Sequence, residues 1–128
     1  FTDKATEIQL KICAALAHFK KKKGPAVNDE KSAEDHVSYL NTPLAPLRDS
    51  IPFMDKTKQD LGKITENVLV LHSGNDQTSK PAHAQLVYDQ VQGKKEIIWF
   101  NKSNHVLLKD LQKEEVMDAI ITFEKANR

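Results

Sequence analysis

The chain has 128 residues, 39% of them hydrophobic, with 19 Lys and Arg against 18 Asp and Glu for a formal net charge of +1. That length supports one modest core, the balanced charge offers no single-sign field for nucleic acid or anionic lipid, and no apolar run approaches the roughly 20 residues of a membrane-spanning helix. Phe1-Thr2-Asp3-Lys4 has no leader pattern, and the single Cys13 has neither an internal disulfide partner nor a CxxC companion, so the expectation is a soluble cytoplasmic protein without metal or cofactor.

In the first half, helices are expected between proline and glycine breaks. Ile8, Ile12, Ala15, Leu16 and Phe19 recur on one face of an amphipathic helix, which Gly24-Pro25 would stop. Lys20 to Lys23 then fall in its last turn, where cations complement the helix dipole. No interleaved aromatics make them a nucleic-acid patch. Asn28 or Asp29 is a candidate cap for a second helix with Ala33, Val37 and Leu40 inside. Thr42-Pro43 reads as an N-cap followed by proline at the first helical position, opening a stripe of Leu44, Leu47 and Ile51. Pro52 interrupts it, and Phe53, Met54 and Leu61 are expected to face the core from a last short helix before Gly62.

The second half alternates β-branched runs with helical patterns, as a parallel sheet covered by helices requires. Asn67 to His72 is the first expected strand, followed by the turn-like Ser73-Gly74-Asn75-Asp76. Pro81 stands near the start of a helix whose inner face is Ala84, Val87, Tyr88 and Val91, with Gly93 as its stop. Lys95 to Phe100 is the second strand, Asn101 to His105 a loop, and Asp110 an N-cap for a final helix with Val116, Ala119, Ile120 and Phe123 inside.

Asp76 and His105 each follow a strand of this strand-helix-strand unit. A crossover helix brings both strands into the sheet in one direction, so the loops after neighbouring strands lie side by side, about 4.8 Å apart. A carboxylate there can hold the tautomer of an imidazole that takes a proton from a serine. Two readings stand at this point: an acid-base pair, or a turn aspartate beside a satisfied loop histidine. The other histidines, His18, His36, His72 and His83, lack the HExxH spacing or cysteine company that zinc needs. Ser73 and Ser103 flank the same edge outside any elbow sequence and read as loop serines.

From Asn67 onward the chain resembles the C-terminal end of an α/β-hydrolase, specifically the bacterial carboxylesterases related to monoacylglycerol lipases. The residues that carry the likeness are Val68-Leu69-Val70-Leu71-His72-Ser73-Gly74-Asn75-Asp76, Ala84 to Tyr88, Ile98-Trp99-Phe100 and Ser103-Asn104-His105-Val106. The resemblance implies an α/β fold in which residues 64–128 form a C-terminal β-α-β-α part of the core, two parallel strands with covering helices, and residues 1–63 a helical cap-like segment. It makes Asp76 the acid and His105 the base of a Ser-His-Asp triad. Asn104 stands where the family usually has glycine, which predicts a positive φ there, and Asn67 stands where proline is frequent. No Gly-x-Ser-x-Gly elbow and no His-Gly oxyanion loop occur in the 128 residues. The expected function is therefore the C-terminal portion of a serine carboxylesterase, inactive alone, whose partners are a carboxylic ester and the missing N-terminal part of the hydrolase. Self-association is expected where that part is absent. The competing reading is a non-catalytic binding or interaction module derived from the same fold.

Overall fold

The computed structural model describes residues 4–128. The chain divides into two compact units, one formed by the chain up to Gly24 with Val37–Asp60, the other by Pro25–His36 with Leu61–Arg128. Among the described residues no helix is long and apolar enough to cross a membrane.

In the first unit, α1 (Lys4–Leu16) ends earlier than its apolar spacing suggests. The chain extends instead into β1 (Phe19–Lys21), which pairs antiparallel with β2 (Asn41–Pro43), Phe19 opposite Pro43 and Lys21 opposite Asn41. Lys20 and Lys21 thus lie on an exposed strand, where charge discourages further pairing, and no basic residue occupies the last turn of α1. Gly24 has φ 117°, so its freedom serves the turn after β1 rather than a helix stop. Pro43 stands one position earlier than expected, as the extended N-cap residue of α3 (Leu44–Asp49). Pro52 lies in the first turn of α4 (Ile51–Asp60), where its missing N–H has no intrahelical acceptor to lose. Leu44 and Ile51 are buried and α1 packs on α3, whereas Ile8, Ile12, Leu16, Phe19, Leu47 and Phe53 stay exposed, against the expected inward stripes.

The second unit begins with α2 (Glu30–Glu34), capped by Asp29, whose carboxylate accepts the Ser32 N–H at 2.8 Å. It is too short to carry Val37 and Leu40 on its inner face, and both are exposed. β3 (Val68–Ser73) and β4 (Lys95–Phe100) run parallel, with Val68 opposite Lys95 and Ser73 opposite Phe100. α5 (Pro81–Gln90) makes the crossover, with Pro81 in the first turn where a helix tolerates it. The last helix is α6 (Lys113–Ala126), and single 3₁₀ turns cover Leu61–Lys63 and Leu107–Lys109.

Leu61, Ala84, Val91, Phe100 and Val116 form the buried core of this unit. α5 packs against both strands and α6 against β3. Gly93 is not the helix stop: α5 ends at Gln90 with Val91 as cap, and a Cβ at Gly93 would run into the backbone carbonyls of Thr65 and Glu66. The glycine lets the return loop pass close to the entry of β3. Asn67 precedes the strand and donates its side-chain amide to Asn127 Oδ1 at 2.8 Å. β3 and β4 are each other's only partners among the described residues, and a hollow beside β3 is lined by Leu69 and Leu71 of the strand and Ile120 and Phe123 of α6.

Candidate active site

Parallel pairing in register brings the last residues of β3 and β4, Ser73 and Phe100, opposite one another, so the loops carrying Asp76 and His105 leave the sheet together. Gly74 donates its N–H to the Phe100 carbonyl at 3.2 Å, and the Asn75 side-chain amide donates to the Asn101 carbonyl. A Cβ at Gly74 would meet the end of the Asn101 side chain, which would have to turn aside.

Two serines stitch the loops. Ser73 Oγ donates to the Ser103 carbonyl at 2.6 Å and accepts the Asn75 N–H at 3.0 Å. Ser103 Oγ accepts the Gln112 N–H at 3.0 Å, while Gln112 Oε1 accepts the N–H groups of Lys102 and Ser103 at 2.8 and 3.3 Å. With 1% and 0% of their surfaces exposed, Ser73 and Ser103 are buried connectors rather than plain loop serines. Neither hydroxyl is presented to a substrate.

Asp76 sits where these loops meet, its side chain 4% exposed. Oδ1 accepts the N–H groups of Thr78 and Ser79 at 2.7 and 2.8 Å, closing the loop on itself, and Oδ2 lies 2.8 Å from His105 Nδ1. Burial pushes the Asp76 carboxyl upward, but the hydrogen bonds from His105, Ser79 and Thr78 and the nearby imidazole charge outweigh it and hold the group below the ordinary carboxylate value. An ionised carboxylate only accepts, so Nδ1 of His105 carries a proton, and in the neutral ring Nε2 is left with a lone pair. The His105 side chain is 42% exposed. An imidazole held by a buried carboxylate is an arrangement that can stabilise an imidazolium as it forms.

A third side chain enters the site that residue patterns did not single out. His72 Nδ1 lies 2.8 Å from the Ser73 carbonyl, its ring meets Trp99 edge-on with centroids 5.7 Å apart, and its Nε2 is 3.6 Å from Asp76 Oδ2. Nδ1 must donate to a carbonyl, so neutral His72 turns an unprotonated Nε2 toward the carboxylate and leaves Oδ2 to His105. Among the described residues no three His, Cys, Asp or Glu side chains converge as metal ligands would.

Asp110 is not the cap of the last helix. Gln112 takes that position for α6, and Asp110, 2% exposed, accepts backbone N–H groups from Asn28, Asp29, Asn104 and Leu111. Asn104 also departs from expectation. No described non-glycine residue has positive φ; the Asn104 side chain instead accepts the His105 N–H at 2.9 Å and donates to Asn28 Oδ1 at 3.2 Å. A short polar side chain replaces a glycine turn with hydrogen bonds to its own loop.

Parallel strands with crossover and covering helices, with the loops of Asp76 and His105 at their C-terminal ends, give this chain the α/β-hydrolase fold of its lipolytic neighbours. The chain superposes on a structure from work on LipS and LipT, two metagenome-derived lipolytic enzymes, with TM-score 0.84 and 19% identity over 98% of this chain and 51% of that one. It superposes on the monoacylglycerol lipase of Paleococcus ferrophilus with TM-score 0.77 and 14% identity, covering 99% of this chain and 54% of the lipase. The chain thus spans about half the length of either enzyme. No protein-family model matches it.

Proposed function

We propose that this chain is the C-terminal portion of a serine carboxylesterase and supplies the acid, Asp76, and the base, His105, of a Ser-His-Asp triad. The observation that carries the reading is the 2.8 Å contact between Asp76 Oδ2 and His105 Nδ1 at the ends of two parallel strands. In the complete site His105 Nε2 takes the proton of a serine hydroxyl as that oxygen attacks the ester carbonyl, then returns it to the departing alcohol. Asp76 keeps the ring in the required tautomer and offsets its positive charge. The nucleophile and the oxyanion donors come from a part of the hydrolase outside these 128 residues, so the chain alone is inactive.

The hollow beside β3, where Leu69, Leu71, Ile120 and Phe123 are ringed by polar residues, supports a seat for that missing part. Without it, β3 pairs among the described residues with β4 alone, and the chain self-associates through the uncovered surface.

Ester hydrolysis measured on the chain alone and on a mixture with a fragment carrying an elbow serine and oxyanion loop tests the reading. The expected result is no turnover alone, turnover in the mixture, and its loss with His105→Ala. Turnover by the isolated chain would overturn the assignment of the nucleophile elsewhere. A mixture whose turnover ignores His105→Ala would overturn the role of the base and favour a non-catalytic module.

A further inference from the structure

Asp110 is a buried acidic group that the proposed chemistry does not use. Its Oδ1 accepts the N–H of Asp29 at 2.9 Å and of Leu111 at 2.8 Å, its Oδ2 accepts the N–H of Asn104 at 2.6 Å, and both oxygens share the N–H of Asn28 at 3.0 Å. Burial pushes the carboxyl upward, yet the amides of Asn104, Asn28, Leu111 and Asp29 more than offset it and keep the group below the ordinary value. A carboxylate holding several backbone N–H groups fixes their geometry as firmly as charge-assisted hydrogen bonds allow.

These amides come from two separate stretches of the chain, Asn28 and Asn104 being 76 positions apart. One is the strap at 26–29; the other is the loop that presents His105. Asn28 donates its side-chain amide to the Lys102 carbonyl at 2.9 Å and accepts from Asn104 Nδ2, while Val106 donates its N–H to the Ala26 carbonyl at 3.3 Å. Three consecutive amides, those of Asn104, His105 and Val106, are thereby held by Asp110, the Asn104 side chain and the strap. The backbone on both sides of His105 has little room to shift. Its exposed ring, by contrast, is fixed by one hydrogen bond to Asp76.

We propose that Asp110 is the positioning residue for His105, its carboxylate joining the strap to the His105 loop so that the imidazole is delivered to Asp76. The proposal rests on the acid-base reading of Asp76 and His105 and deepens it. An ångström-scale misplacement of a catalytic group is enough to cost orders of magnitude in rate. A polar residue that merely satisfied its own loop would not need to bind both segments.

The test is Asp110→Asn, which keeps the shape but replaces one acceptor oxygen with an NH₂ that meets backbone N–H groups donor to donor. The readout is the Nδ1 proton of His105, seen by NMR as a low-field resonance while it is bonded to Asp76. The expected result is loss of that resonance in a variant whose amide spectrum still reports β3, β4 and α6. A folded variant with the resonance unchanged would overturn the proposal. Where the variant does not fold, hydrogen exchange in the unaltered chain decides: the amides of Asn28, Asp29 and Asn104 and the His105 ring proton should open together. A ring proton that opens at least tenfold more often than the Asn104 amide would overturn it. Because neither measurement involves ester turnover, the positioning role and the esterase reading fail separately.

Discussion

Replacing Ser73 by alanine should unravel the contact between the Asp76 and His105 loops at a measurable cost. The Ser103 carbonyl that receives the Ser73 hydroxyl belongs to a residue with 0% of its surface exposed, so water cannot take the lost donor's place. A buried acceptor left unpaired costs about 1–3 kcal/mol. The Asn75 N–H, which donates to the same hydroxyl, lies on an exposed residue and recovers a water, for roughly 0.5 kcal/mol. Together these give about 2.5 kcal/mol. With a urea m-value of roughly 1.5 kcal/mol/M, the unfolding midpoint should fall by about 1.7 M at unchanged slope. Thr57→Ala is the control: it removes a hydroxyl bonded to a carbonyl, that of Phe53 at 2.9 Å, on the exposed surface of a helix. Its effect should stay within about 0.5 kcal/mol. A midpoint for Ser73→Ala within about 0.3 M of the parent would refute the reasoning, because the hydroxyl would then be replaceable.

Gly93→Ala should destabilise by about 1–3 kcal/mol, since its new methyl group meets the carbonyls of Thr65 and Glu66, whereas Gly62→Ala, with its nearest neighbour 3.9 Å away, should be tolerated; thermal denaturation separates the two. Asp76 and Asp110 both hold their protons less tightly folded than unfolded, so their stabilisation is complete above the unfolded value near 3.8 and is lost as pH falls through the lower folded values. Urea midpoints measured from about pH 5 down to pH 2 should decline, and less steeply in Asp110→Asn. A fluorophosphonate should leave the isolated chain unlabelled, because the Ser73 and Ser103 hydroxyls are buried and committed to other bonds; intact mass showing a stoichiometric adduct on either would contradict this. Asp76→Asn should turn the amide toward His105 Nδ1 and invert the tautomer, moving the proton to Nε2, which the nitrogen shifts of the ring report directly.

The strands of the second unit were legible because apolar runs such as Val68 to Leu71 and Ile97 to Phe100 have one local interpretation once bounded by turns. The observed β4 spans the expected residues, and β3 is offset from its expectation by one. The closeness of Asp76 and His105 followed from that, since parallel pairing brings their loops together. The first unit was harder to read. Phe19–Lys21 and Asn41–Pro43 are strands of three residues whose pairing depends on each other across the chain, and the helical spacing continues past Leu16 to Phe19 although the helix does not. Asp110 had the right residue type for a helix cap two positions away, but its role depends on amides at positions 28 and 29, which no local pattern contains. The joining of Ser73 to Ser103 likewise appears only once the strand register is known.

Because Pro25–His36 belongs to the second unit while the flanking stretches belong to the first, the backbone passes between the two units at three places, after Gly24, after His36 and after Asp60. No single cut can therefore separate them as intact pieces. A chain begun at Leu61 would keep both strands, Asp76 and His105, yet it would discard the strap and leave Asp110 with the amides of Asn104 and Leu111 alone. Such a truncation would look complete by its strands and be deficient at its histidine. A protease nick near Gly24 would release nothing at once, since α1 would still be held by its packing on α3 and β1 by its pairing with β2. The interleaving makes excision of either unit a matter of splicing two stretches of chain, not of choosing one boundary.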